Sequence, residues 1–229
     1  ISPCLVGSEM CIRDREEAQF DSALEKILEI VDFAADKKAI PFGVFKPTGF
    51  GRFLVWQKIT EGEKLTEEEQ QEWERIEARF DAVCKRAYDA DLPLLIDAEE
   101  SWMQDAADDL VAKMMKKYNK EKAIVYNTLQ LYRHDRLEYL KRLHEEARVY
   151  GFKIGMKIVR GAYMEKENER AKEKGYTSPI CVNKEATDVN FDTTLRYILD
   201  NIEDISVFIG THNEHSTVLA MNIICLLYT

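Results

Sequence analysis

Phe152-Lys-Ile-Gly-Met-Lys157-Ile-Val-Arg160-Gly161-Ala162-Tyr163 is the stretch on which the fold turns. Its first half is a short apolar run of the kind a buried parallel strand needs. Its second half places two cations and a Gly-Ala step at the end of that run. Four other runs have the same design. They are Ile40-Pro-Phe-Gly-Val-Phe-Lys46, Pro93-Leu-Leu-Ile-Asp97, Ala123-Ile-Val-Tyr-Asn-Thr-Leu-Gln130 and Ile205-Ser-Val-Phe-Ile-Gly-Thr211-His212-Asn213. Each ends in a polar residue capable of chemistry, and helical periodicity fills the gaps between them. A βα repeat whose reactive residues gather at strand C-termini is the footprint of a (β/α) barrel, because that rim carries the active site.

The helices can be placed from the same text. Phe20, Ala23, Leu24, Ile27, Leu28, Val31 and Ala34 recur at helical spacing over 17–36. Pro47-Thr-Gly-Phe-Gly51 reads as a loop, and 52–63 is ambiguous. Thr66-Glu-Glu-Glu69 is a capping box opening a charged helix to Ala90. Its inward face is Trp73, Ile76, Phe80, Val83, Cys84 and Ala87, and its acidic side is a solvated face. Ala106, Leu110, Val111, Met114 and Met115 mark the next helix. Asp135 opens another, which Gly151 ends. Further helices are expected over 164–174 and from Asn183 to Asn201. Helical crossovers imply parallel strands. The fold class is therefore α/β, a partial (β/α)8 TIM barrel with about five of eight strands present. At least one strand–helix unit is expected before residue 16 and two after residue 224.

The chain has 229 residues, 45% of them hydrophobic and 32% charged, with a net charge of −10. That describes a globular protein and argues against sequence-independent nucleic-acid binding, which needs a basic surface. No apolar stretch reaches the roughly 18 to 20 residues of a membrane span. The two ends read differently. Glu9-Met-Cys-Ile-Arg-Asp-Arg15 and Cys225-Leu-Leu-Tyr-Thr229 can be back-translated so that one contains the reverse complement of the other's centre. Both match the terminal repeat of transposase-based sequencing adapters. Residues 1–15 and 225–229 are therefore expected to be non-native read-through, flanking a domain at 16–224. Only Cys84 and Cys181 then remain, without a CxxC spacing, which favours a reducing compartment and no structural zinc.

Among the rim residues, Lys46 and Lys157 can snorkel, bind an anion or act as a Schiff-base amine. Asp97-Ala98-Glu99-Glu100 can cap a helix or supply a charge partner to cations over the barrel mouth. Gln130 can satisfy backbone or contact a ligand. Arg160-Gly161-Ala162-Tyr163 lets a ligand approach the backbone closely. Thr211-His212-Asn213 offers hydrogen bonds. His215 is too near His212 to share a metal site, so no metal is expected.

Phe45-Lys46-Pro47-Thr48, Leu95-Ile96-Asp97-Ala98-Glu99-Glu100, Tyr126-Asn127-Thr128-Leu129-Gln130-Leu131-Tyr132, Lys157-Ile158-Val159-Arg160-Gly161-Ala162-Tyr163 and Thr211-His212-Asn213 together resemble the proline dehydrogenase family, in its order, across 16–224. The likeness is to the single-function bacterial and mitochondrial branch. It implies a flavoenzyme on a (βα)8 barrel that oxidises L-proline to Δ1-pyrroline-5-carboxylate and passes electrons through FAD to a quinone. By this resemblance Lys46 binds the substrate carboxylate, and Asp97 and Lys157 are catalytic. Ala98, Gln130, Arg160, Gly161, Ala162, Tyr163, Thr211, His212 and Asn213 hold FAD. Lys157 stands where many bacterial relatives carry Arg. The family's final helix brings an arginine pair to the substrate carboxylate, and its absence here implies weak proline binding and impaired turnover by the chain as written. The resemblance places the protein in the cytoplasm or peripherally on the inner membrane of a bacterium, or in a mitochondrion. The residues alone also admit a Schiff-base barrel aldolase or a non-catalytic barrel fragment.

Overall fold

Five parallel strands lie side by side in chain order, β1 Gly43–Phe45, β2 Leu94–Ile96, β3 Val125–Gln130, β4 Ile154–Val159 and β5 Ile205–Ile209. The computed structural model of the chain describes residues 17–227. Residues 1–15 and the last two of the expected read-through tail lie outside the described residues. Helices follow in alternation: α1 Glu17–Ala35, α2 Phe53–Thr60, α3 Glu67–Asp89, α4 Ser101–Tyr118, α5 Arg136–Tyr150, α6 Met164–Lys174, α7 Lys184–Asp200 and α8 Glu214–Leu227. A single 3-10 turn spans Pro47–Gly49. The sheet is an open arc with β1 and β5 at its edges, not a closed barrel.

Local chemistry sets the element ends. The Thr66 hydroxyl accepts the Glu69 N–H at 3.2 Å, and the Glu69 carboxylate accepts the Thr66 N–H at 2.8 Å, closing the capping box. Asn183 caps α7 through the Ala186 N–H. Gly151 ends α5 at φ 64°, a left-handed conformation that any Cβ would disfavour.

Two apolar layers flank the sheet. The larger lies between strands and helices and includes Trp56, Ile76, Phe80, Leu94, Ile96, Met103, Leu129 and Phe191, all almost fully buried. Each such side chain contributes roughly 1.5–3 kcal/mol by leaving water. The smaller layer lies on the concave face, where Phe42 packs edge-on to Tyr126 and Phe208 beside Leu95.

The ambiguous stretch at 52–63 is helix α2, which packs on α4. Val55 and Trp56 are buried, Phe53 and Ile59 pack against the same core, and the apolar Leu54 faces out. The α3 face is as expected, but it also buries charge. Glu72 pairs with Arg52, and Arg79 reaches Asp21 at 2.7 Å and the Phe50 carbonyl at 2.9 Å. The helix that reads as an acidic solvated face thus fastens both α1 and α2.

Candidate functional site

Strand register builds the site. The pairings Val44↔Leu95 and Leu95↔Tyr126 carry one row across the concave face, and Thr128↔Lys157 and Lys157↔Phe208 carry the next, two residues further along the strands. Continued two residues further, β1 and β2 place Lys46 and Asp97 in the row with Thr128, Lys157 and Phe208. The row above it holds Gln130, Val159 and Gly210. Below it, Tyr126 and Phe42 make an apolar floor. Five strands that each look unremarkable alone thus deliver their last inward-facing residues to one place.

That place is a cleft of about 560 Å³. Every residue to which the resemblance gives a site role lines it, whereas Glu99, Glu100 and His215 do not: Lys46 comes from β1, Asp97 and Ala98 from β2, and Gln130 from β3. Lys157 and Arg160 to Tyr163 come from β4, and Thr211 to Asn213 from β5. Sequence reasoning missed Thr128, Val159, Gly210 and Lys184, which also line it. The first three have inconspicuous side chains, and only the alternation of inward positions could have found them.

Charge in the cleft is ordered. Lys157 Nζ donates to Asp97 Oδ1 at 2.6 Å, and the two side chains are about a fifth and a quarter exposed. Asp97 is held in turn by its N–H on the Phe45 carbonyl at 2.9 Å. Of the two readings of Asp97, the charge partner is the one observed. The following helix takes its N-terminal carboxylate from elsewhere: Glu167 of α6, fully buried, accepts the Ser101 N–H at 2.7 Å and the Ser101 hydroxyl at 2.6 Å. This contact ties the β4–α6 rim to the start of α4 and has no signature in local sequence. Among the described residues Lys46 makes no ion pair, although its charge acts on Glu99.

Arg160 is spent on architecture. Its guanidinium donates to Asp188 at 2.7 Å, the Thr211 hydroxyl at 2.7 Å and the Ser216 hydroxyl at 3.1 Å, and lies 4.5 Å over the Phe191 ring. The Thr211 oxygen also accepts the Asn213 N–H at 3.1 Å. With both acceptor positions used, its hydroxyl hydrogen is free to point at a ligand. Asn213 caps α8 through the Ser216 N–H at 3.0 Å. His212, Gly161 and Ala162 are exposed on the rim.

Two features fit a planar polar group. The Gln130 amide oxygen is buried in the cleft wall without a hydrogen-bond partner. A buried acceptor of this kind costs roughly 1–3 kcal/mol until something donates to it. Gly161 sits at φ 136°, and a Cβ there would fall 2.5 Å from the Tyr132 ring. Only glycine allows the backbone to lie that close to the ring and leave the rim open.

Beside the cleft runs a buried polar chain. Thr48 Oγ1 donates to Glu99 Oε1 at 2.9 Å, Gln104 Oε1 accepts the Glu99 N–H at 2.8 Å, and Gln104 donates to Asp108 at 2.8 Å. Arg136 closes it on Asp108 at 2.6 Å. Burial pushes Glu99 up to about 7.

A family model described as proline dehydrogenase matches residues 10–227. The chain is 32% identical over 209 residues to the carbapenem antibiotics biosynthesis protein CarD of Pectobacterium carotovorum subsp. carotovorum, covering 91% of this chain and 54% of that protein. It is 36% identical to proline dehydrogenase 1, mitochondrial, of Caenorhabditis elegans (70% of this chain, 27% of that one). The human protein of that name is 35% identical (69% and 27%). The chain thus spans about half the length of one curated relative and about a quarter of the others. Among solved structures it resembles proline utilization A from Bdellovibrio bacteriovorus, with a TM-score of 0.78 at 19% identity, covering 93% of this chain and 23% of that one. That likeness identifies the open sheet as part of a TIM-barrel-like domain. With its rim motifs gathered in one cleft and the family match running nearly end to end, the chain belongs to the proline dehydrogenase family.

Proposed function

We propose that this chain supplies the flavin cradle and one carboxylate-binding lysine of an enzyme that oxidises L-proline to Δ1-pyrroline-5-carboxylate. The observation that carries the reading is the single inward row Lys46–Asp97–Thr128–Lys157, with the unpartnered Gln130 oxygen directly above it. FAD, when bound, supplies the two-electron acceptor that no amino-acid side chain provides. The chain's own residues bind and orient. Gln130 offers an acceptor to a ring N–H, and Thr211, steadied by Arg160, offers a donor. Gly161 and Ala162 let the ligand lie against the backbone. Lys157, fixed by Asp97, would hold a positive charge in the cleft, of the kind that stabilises the negative charge a flavin gains on reduction. Lys does this as a point charge, without the bidentate fork of Arg. Lys46 is left to take the substrate carboxylate.

The proposed electron acceptor is a quinone, reached by peripheral association with a membrane. No described helix is long and apolar enough to cross one. The setting is the bacterial cytoplasm or inner membrane, or a mitochondrion, as in the names of the worm and human relatives. A Schiff-base lysine needs its lone pair free, and Lys157 Nζ is committed to Asp97, which disfavours Lys157 as the aldolase amine; for Lys46, borohydride trapping with a carbonyl substrate separates the two readings.

The test is a titration of the chain with FAD, read by flavin fluorescence and visible absorbance. Saturable binding is expected, weakened at least tenfold by Gln130→Leu and by Gly161→Val. Equal affinity for wild type and both variants would remove the basis of the cradle.

A further inference from the structure

Glu99 has no part in the chemistry above, yet it is 3% exposed and stands directly behind the turn that presents Lys46. Its carboxylate is the acceptor for Thr48, the second residue after Lys46, at 2.9 Å. Its own backbone is fixed through Gln104, Asp108 and Arg136. The Lys46 turn is thus clamped from behind by a carboxyl group that is itself immobile. We propose that Glu99 is a positioning residue for Lys46: its buried carboxyl fixes the lysine's turn and takes up a proton from solvent when an anion occupies Lys46. The identity of that anion, the carboxylate of L-proline, rests on the function proposed above.

The charges around Glu99 give the direction. Burial raises its proton affinity most. The Thr48 bond lowers it, Glu100 raises it, the Lys46 charge lowers it and Asp97 raises it. The other cations nearby are already paired. Lys166 of α6 is bonded to Glu100, Lys157 of β4 to Asp97, and Arg136 of α5 to Asp108, while Glu167 is bonded to Ser101. Lys46 is therefore the cation whose charge a ligand can change. An incoming carboxylate cancels it and adds a negative charge of its own. Both effects favour the protonated form of Glu99. Since the free group titrates near 7, binding draws in a proton at neutral pH. Affinity then weakens by up to tenfold per pH unit above about 7, by linkage.

The test is a carboxyl-carbon NMR titration of the 229-residue chain, with Glu99 assigned by the resonance lost in Glu99→Gln. A midpoint near 7 is expected, moving upward in Lys46→Met and unmoved in the remote Lys120→Met. A midpoint in the ordinary carboxylate range, or one indifferent to Lys46→Met, overturns the proposal. Glu99→Gln keeps an acceptor for Thr48, so the fold is retained while the proton is lost. Thr48→Val removes the clamp but keeps the acid, and should raise the Glu99 midpoint. In a second arm L-proline is titrated across pH. Binding should weaken with pH above about 7 in wild type and be flat in Glu99→Gln. Flat binding in wild type also overturns the proton uptake. Failure of L-proline to bind at any pH, with the Glu99 response to Lys46→Met intact, sinks the proline reading and sustains the coupling.

Discussion

Gly155→Ala is the sharpest probe of the concave face. Gly155 lies inside β4, paired with Tyr126 and Ser206. A Cβ built there falls 2.5 Å from the Val125 carbonyl oxygen and 2.6 Å from Cγ of the Tyr126 ring. Neither neighbour is the loose end of a flexible side chain. The carbonyl belongs to the adjacent strand, and the ring is packed edge-on against Phe42. Overpacking of this kind costs about 1–3 kcal/mol, and a backbone collision belongs at the upper end. The smaller entropy of the unfolded alanine chain offsets about 0.4–1 kcal/mol. The net loss is about 2 kcal/mol, which for a chain of this size lowers Tm by about 4–8 °C. Thermal unfolding by circular dichroism reads this directly. Gly49→Ala, which meets nothing within 4 Å, is the control and should melt with wild type or slightly above. The same displacement pushes β4 from β3 and carries Lys157 away from Asp97, so FAD affinity should fall together with Tm. If Gly155→Ala melts no lower than Gly49→Ala, the close sheet contact that organises the cleft floor is wrong.

Other perturbations test separate parts. Glu167→Ala strips the carboxylate from the start of α4 and should cost about 1 kcal/mol in urea unfolding, since it leaves two part-buried donors of Ser101 without their acceptor; an unchanged midpoint would show that α6 does not anchor that helix. Thr66→Ala opens the capping box of α3 and should cost about 1 kcal/mol by the same measurement. Asp97→Asn frees Lys157 from its partner and should weaken FAD binding, with little change in Tm because the pair is partly solvated. Asp204 is held down to about 2 by the His144, Lys153 and Arg148 contacts. Its folded-state value lies below its unfolded one, so its stabilisation is complete above about 4 and is lost as pH falls toward 2. Asp204→Asn should therefore flatten the acid limb of the stability curve, and an unchanged limb would contradict the assignment.

Much of the site was legible because its residues sit at element ends. Apolar runs, cap residues and Gly/Pro breaks are local signals, and they place Lys46, Asp97, Gln130 and Arg160 at strand tips. The failures were of another kind. Helix α2 is obscured because it has only eight residues, too few for a period to show, and opens on an unbroken apolar run in which Leu54 faces out; packing on α4 decides its state. Thr128 and Gly210 carry side chains too ordinary to attract notice, and only register brings them into the cleft. Glu72 and Arg79 look like solvated charges until α1 and α2 fold over them.

The chain's own text determined the alternation of strand and helix, the parallel direction and the set of polar residues available at the rim. These follow from the 3.6- and 2-residue periods, capping chemistry and crossover geometry, all readable within a short window. Tertiary structure alone decided what those residues do to one another. Lys157 finds Asp97 60 positions away, Glu167 caps a helix that begins 66 residues earlier, and Glu99 holds its proton near neutrality because a dry interior raises its proton affinity more than Thr48 and Lys46 lower it. Pairing depends on register across strands, and proton affinity on how much water is excluded. Both are sums over distant parts of the chain, which no window of sequence contains.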